Sequence, residues 1–358
     1  MLGLGICLLL AACVGSNAPA VAAHGDAPLQ HGHVHAASSA QTVLRRAPAF
    51  GLHLSRVRRA VLALQDHDLQ MAGTYGIVPG PHLAQKPVQA QQSTAVVARW
   101  CRALAQRLAS VRSQTCRDRD FIYSGYRSVQ GRPIVVRSVP ARQVPAGRVL
   151  LIGGIHGDEL SAVSLVFKWL DELLTVGSEY TWHVVPSLNP DGLLAGKPQR
   201  GNAHGIDLNR NLPTPDWQHK SEQYWRKMGY SKRRYPGNEP ASEPETQWLV
   251  DEIDSFRPDV VISVHAPYGV LDYDGELPAP RKLGSLGLHQ LGVYPGSLGN
   301  YASHMLGIPV ITIELDNAWQ LPSEPDIKQM WTDLNNWLLR YVGAAFRVNA
   351  ASRKQDLG

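Results

Sequence analysis

Three apolar, β-branched runs, each ending on a side chain that can bind a metal or move a proton, constrain this chain more than any other feature. Val149-Leu150-Leu151-Ile152 leads through Gly153-Gly154-Ile155 into His156-Gly157-Asp158-Glu159. Val260-Val261-Ile262-Ser263-Val264 ends on His265, and Pro309-Val310-Ile311-Thr312-Ile313 ends on Glu314. Short apolar runs bounded by breakers such as Pro258 suit strands buried on both faces of a parallel sheet. Strand-like segments over 149–155, 180–186, 260–265 and 309–315 alternate with helix-like ones over 161–174, 243–256, 297–306 and 326–342. A hairpin over 126–140, turning at Gln130-Gly131-Arg132, precedes them. The rhythm predicts an α/β/α sandwich with a mixed, mostly parallel central sheet. Ligands of open sheets of this kind sit at the carboxyl ends of the strands. His156, Glu159, His265 and Glu314 are therefore expected to meet at one edge. Any one of them reads more simply as a core histidine or a strand-end charge; three strands ending alike favour a shared site.

His156 and Glu159, three residues apart, offer N and O donors of the kind Zn²⁺ accepts, and a catalytic zinc takes three protein ligands plus an open position. Between the first and second runs lie Asn189-Pro190-Asp191-Gly192, Arg200, and Asp207-Leu208-Asn209-Arg210-Asn211. With His156-x-x-Glu159, His265 and Glu314, in this order, these motifs resemble the zinc carboxypeptidase family of the carboxypeptidase A type. The resemblance spans roughly residues 123–341. It implies one Zn²⁺ per chain, held by His156, Glu159 and His265, which lowers the pKa of a bound water and polarises the scissile carbonyl. It implies that Glu314 is the general base, and that Arg200 stabilises the oxyanion. Asn209 and Arg210 would hold a free α-carboxylate, and Asp207 would orient His156. The Asn-Pro-Asp-Gly motif reads as a turn that shapes the chain rather than reacts.

Digestive members of the family carry Arg where this chain has Asp158, and their catalytic-loop tyrosine has Tyr294 as its candidate counterpart here. Their apolar segment after the third ligand is replaced by Ala266-Pro267-Tyr268-Gly269-Val270-Leu271-Asp272-Tyr273-Asp274-Gly275. Asp272 and Asp274 suggest a pocket for a cationic group; turn formation beside Gly275 is the plainer alternative. By family resemblance the Ala266–Pro267 bond is expected to be cis, which proline makes inexpensive. The segment 266–275, with Gly153–Glu159 and Ser242-Glu243-Pro244-Glu245-Thr246, is similar to the murein peptide amidase A branch. That branch cuts the bond between γ-D-glutamate and meso-diaminopimelate. Diaminopimelate joined through one amine keeps a carboxylate for Arg210 and an ammonium for Asp272 or Asp274.

The net charge of +5 hides an asymmetry. Residues 1–148 hold 17 Lys/Arg against 5 Asp/Glu, whereas 149–345 hold 15 against 24. The basic part suits an anionic membrane or wall polymer. No nucleic-acid motif accompanies it, so nucleic acid is not an expected partner. Residues 1–22 read as an export signal. The basic n-region is missing, so an upstream start is expected. Leu10-Ala11-Ala12-Cys13 resembles a lipobox, with a cut near Ala20-Val21-Ala22 as the rival. The first option predicts a lipid-anchored periplasmic lipoprotein, the second a soluble periplasmic protein. Residues 23–50 read as a flexible linker; its His24, His31, His33 and His35 fit a solvated tether better than a metal tract. Residues 51–120 read as a small helical N-terminal region, 121–345 as the catalytic domain and 346–358 as a tail. Helices are expected over 52–70 and 95–112, separated by a loop over 73–93. Outside the signal only Cys101 and Cys116 remain, an even pair expected to form a disulfide in an oxidising compartment, with two free thiols as the alternative.

The leading expectation is thus a zinc peptidase or amidase acting on murein peptides. The others are a metallocarboxypeptidase removing terminal residues, a deacylase sharing His-x-x-Glu, and a catalytically silent envelope protein that binds wall peptides. No Gly-x-Ser-x-Gly elbow supports a serine hydrolase, and Gly153-Gly154-Ile155-His156-Gly157 lacks dinucleotide-binding spacing. The oligomeric state is not legible.

Overall fold

The computed structural model describes residues 90–344. The expected signal, linker, helix over 52–70 and tail lie outside these residues. Helices α1 (Ala90–Arg107) and α2 (Ser113–Arg117) come first, then β1 (Ile122–Arg127), β2 (Pro133–Val139), β3 (Arg148–Gly153), α3 (Leu160–Val176), β4 (Thr181–Val185) and α4 (Pro190–Leu194). After a 3₁₀ turn at Leu208–Arg210 follow α5 (Trp217–Lys227), α6 (Pro244–Phe256), β5 (Val260–His265), β6 (Val270–Asp274), a hairpin of β7 (Lys282–Leu283) and β8 (Leu286–Gly287), a π-helical segment (Gly299–Met305), β9 (Val310–Glu314) and α7 (Glu324–Trp337). The main sheet has the order β1-β2-β4-β3-β5-β9-β6. Its centre, β4-β3-β5-β9, is parallel, and the flanking pairs are antiparallel.

Strand alternation divides the core. Val149 and Leu151 of β3, with Val260, Ile262 and Val264 of β5, pack under α1, α3 and α7. Leu150, Ile152 and Val261 face the other way, toward Trp248, Leu249 and Ile253 of α6 and Tyr301 of the π-helical segment. Burial on both faces explains why these strands read as continuous apolar runs. The expected sandwich is observed. Additions are α5, the β7–β8 hairpin and β6, whose five residues were read as pocket loop or turn; the helix expected over 297–306 is a shorter π-helical segment.

The expected helix over 95–112 is α1, displaced toward its N-terminus. Val97, Trp100 and Leu104 form one apolar stripe of α1 and, with Leu108 just beyond it, join the same core cluster as α3. Cys101 and Cys116, both fully buried, are joined by a disulfide across 15 residues. Replacing both cysteines with serine should lower unfolding stability by about 3 kcal/mol, chiefly through the lost loop constraint. Denaturant titration measures this. Among the described residues no helix is long and apolar enough to cross a membrane.

Candidate metal centre and substrate cleft

The site is built on the carboxyl edge of the parallel strands. His265, the last residue of β5, pairs in register with Glu314, the last residue of β9. Residues in parallel register share a face, so both side chains leave the sheet on the same side. His156 and Glu159 arrive from the loop between β3 and α3. That loop turns through Gly154 at φ +61 and is pinned by Leu188 N–H to the Gly153 carbonyl (3.1 Å) and Asn189 N–H to the Gly154 carbonyl (2.9 Å). A Cβ on Gly157 would fall 2.2 Å from the Gly192 backbone. Only glycine allows the ligand loop to lie against α4. Asn189 caps α4 by accepting from Gly192 N–H and donates to the Arg200 carbonyl, while buried Asp191 accepts from Ser128, Gln130 N–H and Arg132. The Asn-Pro-Asp-Gly segment shapes the chain, as expected.

The three candidate ligands converge. His156 Nδ1 lies 2.8 Å from Glu159 Oε1, His265 Nδ1 lies 3.0 Å from Glu159 Oε2, and the two Nδ1 atoms are 3.1 Å apart. All three residues are buried. Four ligands at about 2.05 Å in a tetrahedron are separated by about 3.3 Å along each edge, so this spacing suits the N/O donor set of a zinc site. The far nitrogen of each imidazole is also engaged: His156 Nε2 with Asp207 Oδ1 at 3.1 Å and His265 Nε2 with Ser263 Oγ at 2.9 Å. Such partners hold the ring and leave Nδ1 for the metal. When bound, zinc supplies an acidified water and a Lewis acid.

Asp207 connects this centre to the substrate-facing groups. Fully buried, it accepts from Arg200 Nε (3.0 Å) and from Asn209 N–H (3.0 Å) in addition to His156. Burial alone would raise its pKa, but Arg200 and His156 reverse this and hold the carboxyl well below its ordinary range. Arg200 also approaches Glu159 Oε1 at 3.5 Å. Its loop is anchored from below by Asn202, whose Nδ2 donates to Glu243 (2.5 Å) and Glu245 (3.2 Å) of the Ser-Glu-Pro-Glu-Thr segment.

Arg210 is 5% exposed, its Nη1 donates to the Asn209 carbonyl, and its Nε has no partner. Its Cζ lies 4.6 Å from the ring centre of Tyr294 and 5.4 Å from that of Tyr224. The two rings hold the guanidinium in place. Tyr294 does reach the cleft, but its hydroxyl donates to the Leu291 carbonyl at 2.9 Å. Asn209 Oδ1 accepts from Leu298 N–H (2.8 Å), which leaves its amide nitrogen for a ligand.

Glu314 sits beside this array with Oε2 buried and unpartnered. Burial raises its pKa above the ordinary carboxylate range, partly opposed by His265. On the adjacent antiparallel strand, Val270, Asp272 and Asp274 pair with Glu314, Thr312 and Val310. The alternation puts both aspartates on the Glu314 face, in one cleft of about 180 Å³ with His156, Arg200, Asn209 and Arg210. Asp272 accepts from Leu291 N–H (3.0 Å). Asp274 lies against Gly299, where a Cβ would fall 2.1 Å from Oδ2. Asp158 does not line the cleft and pairs with Arg233 at 2.6 Å. The Ala266–Pro267 bond is cis, as expected.

Ser263, Tyr224 and Arg234 were not singled out in the sequence. Ser263 could have been, since it lies two residues before His265 on one strand face. Tyr224 and Arg234 belong to a segment with no readable pattern toward the site.

A family model described as zinc carboxypeptidase matches residues 107–278. Murein peptide amidase A of Escherichia coli (strain K12) is 37% identical over 150 residues, which cover 41% of this chain and 59% of that relative. The match thus spans less than two thirds of the E. coli protein. Murein peptide amidase A of Vibrio campbellii is 31% identical over 198 residues, covering 53% of this chain and 77% of that relative. The crystal structure of the murein-tripeptide amidase from Escherichia coli O157 superimposes with a TM-score of 0.44 at 29% identity, over 61% of this chain and 91% of that one. The Vibrio match extends across most of its relative, and on that ground the chain belongs to the zinc carboxypeptidase family.

Proposed function

We propose that this protein is a zinc-dependent amidase that hydrolyses murein peptides at the bond between γ-D-glutamate and diaminopimelate. The observation that carries this reading is the charge arrangement of the cleft. Arg210 presents an unpartnered guanidinium edge beside the reacting groups, and Asp272 and Asp274 face the same space. A leaving residue with a carboxylate near the scissile bond and an ammonium on its side chain matches that arrangement. His156, Glu159 and His265 would hold the zinc. Arg210 and Asn209 bind the carboxylate and so fix the carbonyl next to Glu314. Glu314, neutralisable because it is buried, takes a proton from the attacking water and passes it to the leaving nitrogen. Arg200, fixed by Asp207, supplies the cation for the developing oxyanion. The relatives named murein peptide amidase A support the substrate class.

The test is to incubate zinc-loaded protein with defined muropeptides and weigh the products. Release of free diaminopimelate supports the amidase. Release of terminal D-alanine would assign it instead as a carboxypeptidase on wall peptides. Binding without cleavage by zinc-loaded protein would make it a silent wall-peptide binder. The apolar residues from Leu2 to Val14, with Leu10-Ala11-Ala12-Cys13 among them, support export to the periplasm with Cys13 lipidated; labelling with a fatty-acid probe, lost in Cys13→Ser, tests the anchor.

The aspartates carry a pH prediction. Burial first, then Asp272, raises Asp274 to about 6, with His304 opposing. A raised carboxyl is neutral below that value and charged above it. Selectivity for a peptide with a cationic leaving residue over one with a neutral side chain should therefore fall as pH drops through about 6. In an Asp272→Asn/Asp274→Asn variant that selectivity should be low at every pH. A double variant that processes both peptides as the parent does would refute the pocket assignment.

A further inference from the structure

The cleft holds a third guanidinium besides those of Arg200 and Arg210. Arg234 closes the 3₁₀ turn Lys232–Arg234, and the next residue is tied to the site, since Asp207 N–H donates to the Tyr235 carbonyl at 2.8 Å. Arg234 N–H is itself bonded to the Ser231 carbonyl (2.9 Å), whose oxygen also accepts from Trp225 Nε1 (2.8 Å). The base of the side chain is therefore fixed next to the Asp207–Arg210 turn. Its Nη1 donates to the Tyr224 hydroxyl at 3.1 Å, and the face of the same ring lies toward Arg210. Tyr224 thus sits between two guanidiniums, and both line the cleft with Asp272 and Asp274. Among the described residues neither arginine forms an ion pair with a carboxylate. Two like charges around one small cleft repel each other, and an anionic group at each relieves the repulsion.

Resting on the murein-peptide reading, we infer that Arg234 is a specificity-determining residue that receives a second carboxylate on the leaving residue. The cleft then takes two carboxylates, at Arg210 and Arg234, and one ammonium, at the aspartates. That charge set selects a diamino-dicarboxylic residue over a simple diamino acid such as lysine, which offers the ammonium but lacks the distal carboxylate. The guanidinium is suited to this task because it presents several donors to a carboxylate and stays charged.

The experiment compares two tripeptides identical except for diaminopimelate or lysine at the leaving position, with parent, Arg234→Met and Arg234→Lys. The parent should prefer the diaminopimelate peptide. Arg234→Met should lower kcat/KM on it about 10- to 100-fold, as expected for losing a charged hydrogen bond, mostly through KM. It should leave the lysine peptide unaffected, so the preference collapses. Arg234→Lys should restore part of it. If Arg234 only positions Tyr224 and Arg210, Arg234→Met will weaken both peptides alike, and the inference fails. The same holds if it weakens neither. A parent that cuts neither peptide would overturn the function proposed above, an outcome distinct from either of these.

Discussion

Glu314→Gln should abolish turnover while leaving the metal centre and the fold intact. General acid–base groups contribute about 10²- to 10⁴-fold, and in the proposed mechanism Glu314 acts twice in each cycle, so kcat should fall about 10³-fold or more. Glutamine keeps the shape and cannot accept the proton. Zinc content should remain at one per chain, because Glu314 is not among the converging ligands His156, Glu159 and His265. Stability should not fall either. Burial already disfavours the charged Glu314 carboxylate, and Oε2 has no partner to lose. Steady-state kinetics, metal analysis and thermal unfolding on one preparation separate these effects. A variant retaining a tenth of the parent's kcat would remove Glu314 from the reaction.

Arg210→Met should have the second largest effect, and it should depend on the substrate. Arg210 is almost fully buried, packs against the adjacent rings of Tyr224 and Tyr294, lines the cleft and has an unpartnered Nε. Truncating one member of a buried charged pair costs about 2–5 kcal/mol, so kcat/KM on a peptide with a free carboxylate beside the scissile bond should drop about two to three orders of magnitude. On the same peptide with that carboxylate amidated, parent and variant should be similarly slow. Methionine packs well against aromatic rings, so the variant should fold. Equal losses on both peptides would show that Arg210 shapes the cleft rather than binds the carboxylate.

That His265 and Glu314 meet at one edge was legible because strands at the sheet centre have a simple code. A run buried on both faces is apolar throughout, so a polar residue at its end marks where the strand leaves the core. His265 and Glu314 are such ends, and their register shows why both arrive at one place. Asp207 was legible only through the family resemblance. Its three-way role, under His156, Arg200 and the Asn209 backbone, depends on a turn whose geometry no local pattern encodes. Asp272 and Asp274 were noticed for their charge. That both face Glu314 follows from β6 pairing antiparallel with β9, a contact between segments some forty residues apart. Asp158 drew notice as the residue replacing a family arginine, yet it pairs with Arg233 outside the cleft, so substrate choice is better sought in β6 and the arginines.

The sequence alone determined that this chain forms a layered α/β sheet with a zinc-competent edge, since burial periodicity and ligand chemistry are properties of residues and their order. The tertiary structure alone decided which charges share the cleft. Tyr224 between Arg210 and Arg234, the aspartates opposite them, and Gly299 making room for Asp274 come from segments far apart in the chain. Side-chain charge is written in the sequence, but its partner is set by long-range packing, and in a small buried cleft the partner decides what can bind.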